Sequence, residues 1–515
     1  MINGYMLLFA LNASFAHQAL GVLTLAAYIN SRRNCRSCEV LECNINERDD
    51  EIFYKLYKNA KNKKIAGFSC YIWNIDKMLK FAENLKKLLP DIYIVFGGPE
   101  VSYCSKEDFF ATYPFADFLI QGEGETALLD LYDDIVNESV GATLAVALAP
   151  TQVHIQGRPR GSLLREIEIL YQNAENYHTV YYESSRGCPF NCSYCISGIE
   201  NINKKVRAKD IDVVLKELKF IEDKYYLNGN SKINIIKFCD RTFNFNISRA
   251  NEIYKNLIER AFEYKEKYGG KLLPYQFELY PTLFDENTFE ILKDAPDGLF
   301  QMEIGLQSLN PQTLAAVGRV NFDVDSALEN ISRIKRLGNI HVHADLIAGL
   351  PYEDLKSFIN GFNALYEKTR ADFIQIGFLK LLKGTRIRDE AERHGYIYEN
   401  SPPYTVLQND YMSFEDIMFF HDIEKIYKRY SSEAYSKSFY YIYENYFLGN
   451  VFEILKKLAV YWRNNNLFYR QISQKDAFAA FYETFKYLPA NADLWEMLER
   501  DFYIYEKKKL NLKCR

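Results

Sequence analysis

No stretch of this 515-residue chain is apolar for long enough to cross a bilayer. The longest apolar runs, 20–29 and 142–150, fall well short of the ~20 residues that a spanning helix needs, so no membrane span is expected. The start, Met1-Ile-Asn-Gly-Tyr, lacks the basic residues of a secretory signal, and export is not expected. An excess of one charge is lacking as well. A net charge of −5 sets up no global field that would recruit nucleic acid, so no nucleic-acid partner is expected. Internal repeats and low-complexity segments are absent, as is any recognisable peptide-, nucleotide- or lipid-binding motif. These absences leave any small-molecule or peptide partner unidentified. Ten cysteines without an export signal point to a reducing, cytoplasmic setting and to thiols rather than disulfides. What is there is ordinary for a globular protein: 48% hydrophobic and 25% charged residues, with length for two to four domains. The 40 Tyr and 36 Phe residues can reflect coding bias and identify no partner.

The informative segment is Ser185-Arg-Gly-Cys-Pro-Phe-Asn-Cys-Ser-Tyr-Cys195. Cys188, Cys192 and Cys195 follow a C-x3-C-x2-C spacing in a turn containing Gly187 and Pro189, so three thiolates can converge on one inorganic centre. A structural zinc wants four closed ligands, and a cubane cluster usually takes four cysteines. Three leave one iron open to a small molecule. The segment resembles the cluster loop of the radical S-adenosylmethionine enzymes. That resemblance implies a 4Fe-4S cluster held by Cys188, Cys192 and Cys195, with S-adenosylmethionine on the open iron.

Residues 1–140 alternate strand and helix. Short apolar runs at 5–11, 39–45, 65–71, 92–96 and 118–120 read as strands, and 17–32 and 75–89 as helices. Strands alternating with helices imply a parallel, Rossmann-like sheet covered on both faces, with ligands at its carboxyl edge. That edge carries Asn12, Ser14 and His17, then Ser69, then Gly97 and Gly98, then Gly122 and Glu123. Glycine there lets a ligand approach the backbone. The segments Asn12-Ala-Ser-Phe-Ala-His17, Phe96-Gly-Gly-Pro-Glu100 and Gln121-Gly-Glu-Gly-Glu125 resemble the cobalamin-binding domain that precedes many radical S-adenosylmethionine cores. The resemblance implies bound cobalamin near these residues. The D-x-H-x-x-G pattern that puts histidine on cobalt is absent: Phe15 and Leu20 stand where Asp and Gly belong. His17 is therefore expected near the corrin or at the helix cap, not on the metal.

Residues 141–175 read as a connector with an exposed turn at 157–161. Residues 176–392 form a second series, with strands expected at 179–183, 233–239, 275–279, 300–306, 341–348 and 373–378. These match the partial (β/α)6 barrel of the radical S-adenosylmethionine core, where chemistry sits at strand ends. By that resemblance Tyr194 lies against the adenine, Asp240 receives the methionine amino group, and Glu303 and Gln307 hydrogen-bond ribose or methionine. Residues 393–515 have helical periodicity at 414–430 and 451–464 and end in a basic tail, 507–515. They are expected to form a mostly helical domain that closes the space between the two cofactors. The whole chain resembles cobalamin-binding radical S-adenosylmethionine proteins with a C-terminal domain of unassigned function.

Two other groupings stand out. Cys35, Cys38 and Cys43 invite a metal, but no His or fourth Cys is near, and unliganded thiols are expected. His341, His343 and Asp345 share one side of a strand, which makes either a satisfied polar interior or an imidazole that a carboxylate orients for proton transfer. The resemblance implies a methyltransferase that acts on an unactivated carbon after hydrogen abstraction by a 5′-deoxyadenosyl radical, with a reducing partner such as flavodoxin or ferredoxin. Cobalamin-assisted oxidation, cyclisation or ring rearrangement, and a cobalamin or redox sensor with a structural cluster, are the other readings.

Overall fold

The computed structural model of the protein describes residues 5–14, 17–33, 37–137, 163–199, 206–269, 272–320, 322–432, 435–489 and 491–506. Its first sheet is built from near-continuous apolar strands: β1 (Met6–Asn12), β2 (Cys38–Asn44), β3 (Ile65–Ser69), β4 (Tyr93–Gly97) and β5 (Phe118–Ile120). In β1 the six residues Met6 to Leu11 are all buried. Successive side chains point to opposite faces, so such a strand needs cover on both. Leu7, Phe9 and Leu11 pack with Ile52, Leu56, Met78 and Phe81 on one face. Met6, Leu8 and Ala10 pack with Val22, Ala26, Ile29 and Leu128 on the other. All pairings are parallel, in the order β2-β1-β3-β4-β5. The order reverses between β1 and β3, and a crevice opens at the carboxyl edge of such a switch point.

The second sheet starts at β6 (Thr179–Tyr182), which runs into a two-stranded hairpin, β7 (Ser185–Arg186) with β8 (Arg207–Ala208). Then follow β9 (Ile235–Phe238), β10 (Tyr275–Leu279), β11 (Phe300–Gln307), β12 (His341–Ala348) and β13 (Phe373–Phe378). The six long strands are parallel in the order β13-β12-β11-β10-β9-β6. Here burial alternates strictly along β11 and β12. Their outer residues, such as Phe300, Met302, Val342 and Ala344, join a core under the surrounding helices, where each large apolar side chain contributes about 1.5–3 kcal/mol. The inner residues form a polar lumen.

A partial barrel leaves two edges with unpaired backbone groups, and both are covered. At the β6 edge, His17 forms a parallel bridge to Thr179, and the Tyr181 amide donates to Gln18 Oε1 at 3.3 Å. This bridge is why the helix expected from residue 17 begins at Leu20. At the β13 edge lies the helix Phe414–Tyr430. The Ile374 amide donates to Tyr427 Oη at 3.3 Å, and Phe378 stacks on His421 at 3.6 Å.

The sequence places the C-terminal helices over the space between cofactors. The apolar faces of Phe414–Tyr430 and Val451–Asn464 are taken up by β13 and the helix Leu355–Thr369. The segment before them meets the first domain instead: buried Glu100 accepts from Tyr404 Oη at 2.5 Å and pairs with Lys383 at 2.8 Å. Among the described residues, no helix is long and apolar enough to cross a membrane. The turn at 157–161 and the basic tail lie outside the described residues.

Candidate functional site

A cavity of about 610 Å³ opens where the two sheets meet. From the first domain it is lined by Asn12, His17, Ser69, Gly97, Gly98, Gly122 and Glu123, and from the barrel by Tyr181, Glu183, Arg186 and Cys239. It thus brings together the strand-end residues expected around cobalamin, apart from Ser14. That residue sits beside the wall, where its carbonyl accepts the His17 amide at 3.4 Å. The cavity also reaches inward along the sheet to Leu8, Val22, Leu25, Val95 and Leu128, an apolar slot under the polar rim. Gly122, at φ +80° with nothing within 4 Å of a Cβ built on it, keeps the rim open. A large, partly apolar ring system with polar substituents fits such a site.

The loops around the cavity are tied to the frame. Asn12 Nδ2 donates to Glu42 Oε1 at 3.0 Å and to the His17 carbonyl at 3.1 Å. His17 Nδ1 lies 2.5 Å from Tyr181 Oη, and the two rings stack. Burial, and then the charge of Lys237, lower the His17 pKa, so the ring is neutral at neutral pH. Its nitrogen is thus engaged across the domain boundary. Phe15 lies outside the described residues. Tyr71 stacks on Trp73 at 4.3 Å, and the Trp73 indole donates to the Leu11 carbonyl at 3.3 Å, walling the cavity with rings.

The cysteine loop follows β7. Gly187, at φ +95°, makes the turn before Cys188. The Ser193 amide donates to the Val317 carbonyl at 2.9 Å, and the Ile387 amide to the Ser193 carbonyl at 3.0 Å, so two later segments hold the loop. Cys188 Sγ lies 3.4 Å from Thr242 Oγ1. Burial pushes the Cys188 and Cys192 thiols up, and bound iron would supply the positive charge that makes thiolates favourable there. Among the described residues no three His, Cys, Asp or Glu side chains converge on a point where one ion could sit. A cubane cluster has an iron for each thiolate and so sets its ligands farther apart than a single ion does. Cys38 and Cys43 are buried in cores on opposite faces of the first sheet, and Cys35 is outside the described residues.

Around the loop, Tyr194 is packed against the buried cluster that contains Val317, Leu350 and Leu381. Asp240 is fully buried and does not line the cavity. It accepts from the Ser184 amide at 2.8 Å, from Ser184 Oγ at 2.5 Å and from Ser185 Oγ at 2.6 Å, which fixes the approach to the cysteine loop. In the lumen Glu303 accepts from Lys237 at 3.2 Å and from Gln276 at 2.6 Å. A register shift separates Gly305 from Gln307, and Gln307 takes the left-handed conformation, φ +74°. Its amide folds back over Gly305, where a Cβ would collide with it. Strain of this kind gathers at functional sites.

His343 and Asp345 both face the lumen, but His343 bonds His341 at 2.9 Å, and one Asp345 oxygen is buried without a partner. Burial, with Glu303 and Glu278 nearby, raises the Asp345 pKa to about 8. Arg319 carries no motif in the sequence, yet it is buried and donates to the Gly305 carbonyl at 2.9 Å. It lies 4.6 Å over the Tyr280 ring, with its charge felt at Cys192 and Tyr194. It places a cation beside the cysteine loop, where it could hold an anionic group.

Comparison with known proteins gives three matches along the chain. Residues 6–132 match the B12 binding domain, residues 182–363 the Radical SAM superfamily, and residues 392–514 a protein family of unknown function, DUF4080. A 2-(S-pantetheinyl)-carbapenam-3-carboxylate methyltransferase of Streptantibioticus cattleyicolor is 26% identical over 64% of this chain and 49% of its own length. The cobalamin-dependent radical SAM methyltransferase TokK of Streptomyces tokunonensis is 24% identical over the same shares. The chain thus spans about half the length of these relatives. An uncharacterized methyltransferase of Pyrococcus horikoshii is 22% identical over 75% of this chain and 78% of its own length. Among solved structures, the cobalamin-dependent S-adenosylmethionine radical enzyme OxsB superposes with a TM-score of 0.60 at 14% identity, over 99% of this chain and 81% of that one. The radical S-adenosylmethionine methyltransferase TsrM of Kitasatospora setae gives 0.57 at 15%, over 78% of each. The chain thus carries a B12 binding domain, a Radical SAM domain and a DUF4080 domain in succession.

Proposed function

We propose that the protein transfers a methyl group to an unactivated carbon of a small molecule or peptide, in the cytoplasm, with electrons from a protein such as flavodoxin or ferredoxin. The observation that carries this reading is the single cavity shared by the carboxyl edge of the first sheet and by Tyr181, Glu183, Arg186 and Cys239 of the barrel. A carbon that is to lose hydrogen on one side and gain methyl on the other needs both reactive groups within one contact distance, ~3–3.5 Å. When bound, the cluster with S-adenosylmethionine supplies the hydrogen-abstracting radical, and cobalamin supplies the methyl group. This chain's own residues bind, align and shield. Cys188, Cys192 and Cys195 hold the cluster. Tyr194, Glu303 and Gln307 line the approach to it. Asn12, His17, Ser69, Gly97, Gly98, Gly122 and Glu123 cradle the corrin. Tyr71, Trp73 and Tyr181 wall the space with rings and exclude water. The names of the relatives as methyltransferases support the same reading.

The test is anaerobic turnover with methyl-deuterated S-adenosylmethionine against metabolite pools, read by mass spectrometry. Deuterated methyl in a product together with 5′-deoxyadenosine is the expected result. 5′-Deoxyadenosine with an unlabelled product moves the assignment to cobalamin-assisted oxidation, cyclisation or rearrangement. No 5′-deoxyadenosine from a fully reconstituted, reduced protein leaves the sensor reading.

A further inference from the structure

Arg186 stands one residue before Gly187-Cys188, on β7. Its guanidinium reaches in two directions. On the barrel side Nε donates to Glu183 at 2.6 Å. On the side of the first domain Nη2 pairs with Glu125 at 2.6 Å, and Nη1 approaches Glu123 at 3.4 Å. Arg207, paired with Arg186 across the β7–β8 hairpin, also binds Glu123. Glu123, Glu125, Glu183 and Arg186 all line the shared cavity. The loop expected to cradle the corrin is therefore ion-paired to the strand that begins the cysteine loop.

We propose that Arg186 is a positioning residue that transmits filling of the cavity to the cysteine loop. The physical basis is solvent. With the cavity open to water, Arg186 and Glu123 retain 24% and 36% side-chain exposure, and exposed pairs are weak. A ligand in the cavity removes that water, and the same charges at the same distances then attract more strongly. The strengthened pair holds β7, and with it Gly187 and Cys188, against the first domain. Linkage is reciprocal, so an ordered cysteine loop favours the filled cavity by the same factor. This inference rests on the two-cofactor reading above, but its test does not use turnover.

The experiment titrates hydroxocobalamin, followed by absorbance, into the full-length protein with and without its reconstituted iron–sulfur cluster. In the native sequence the cluster should tighten binding about fivefold or more, and in Arg186→Ala by less than about twofold. Arg186→Lys keeps the charge but loses the fork of donors, and should fall between. Glu125→Gln, nearly isosteric, removes the pair from the other side and should also weaken the coupling. Adding hydroxocobalamin should change the paramagnetic resonance spectrum of the reduced cluster in the native protein and leave it unchanged in Arg186→Ala. Equal coupling in native and Arg186→Ala proteins overturns the proposal, as does cobalamin binding that ignores the cluster in the native protein. Failure to bind cobalamin at all overturns the proposal and the functional reading together.

Discussion

Asp345 holds its proton to about pH 8 in the folded protein, whereas an exposed aspartate loses it near pH ~3.9. The folded state therefore binds one more proton than the unfolded chain between these limits. Stability falls as pH rises through this window, by up to ~1.4 kcal/mol per unit, and levels off above it. Lys237 offsets part of the effect; Glu278 and Glu303 add to it. Asp345→Asn should remove this slope. Denaturant unfolding at about pH 5 and about pH 8.5 should then show a smaller loss of stability in the variant than in the native protein. Parallel losses would count against a protonated Asp345. The cysteines make a second prediction at this scale. Replacing any one of Cys188, Cys192 and Cys195 with Ala should remove most of the roughly four irons per chain expected of a cubane and abolish cleavage of S-adenosylmethionine. Cys38→Ala and Cys43→Ala should keep the iron, since those thiols lie in separate cores. Iron that survives in Cys192→Ala would refute the assignment. The cysteines are legible in the sequence because their spacing is local. The hydrogen-bond partners of Asp240 are not, because they lie 56 and 55 residues away in sequence, at Ser184 and Ser185.

At the scale of elements, one turn controls how the cysteine loop docks. Gly318 has φ +82°, and a Cβ there would lie 2.7 Å from the Asn191 carbonyl oxygen and 2.9 Å from the Arg386 guanidinium. Gly338 has φ +80° with open space around it. The two positions separate backbone strain from steric displacement. Gly318→Ala and Gly338→Ala should each cost roughly 1–2 kcal/mol through the left-handed conformation, measured by denaturant unfolding. Only Gly318→Ala should also push Asn191 away and lower iron content on reconstitution. Equal iron in both variants would show that the loop tolerates the shift. The long strands of both sheets are readable from periodicity: continuous apolar runs in the first sheet, strict alternation in β11 and β12. The two-residue strands β7 and β8 are not, because a pair so short has no period. The helix start at Leu20 is likewise set by a tertiary contact, the bridge from His17 to Thr179.

The molecule as a whole is closed by contacts that no local pattern announces. The barrel's polar lumen and the carboxyl edge of the first sheet are legible one at a time, but which segment joins the two domains depends on pairing across some 300 residues, as with Glu100 and Tyr404. Glu100 is 3% exposed. Its charge is held by Lys383 at 2.8 Å and by the Tyr404 hydroxyl. Beside it Gly384, at φ +78°, lets Tyr103 approach: a Cβ would sit 2.6 Å from the ring. This clasp joins the loop after β4 to the segment leading into the C-terminal helices. Removing the cation in Lys383→Ala leaves a buried carboxylate with one neutral donor, a loss of about 1.5–3 kcal/mol. That loss should appear as local opening, since the two cores on either side stay intact. Amide exchange should accelerate about tenfold or more, by the factor of ten that 1.4 kcal/mol represents, in residues 98–104 and 380–404, with β1 and β12 unchanged. Acceleration spread evenly over both sheets would mean that the pair supports the global fold, and no change at all would mean that other contacts hold the two segments together.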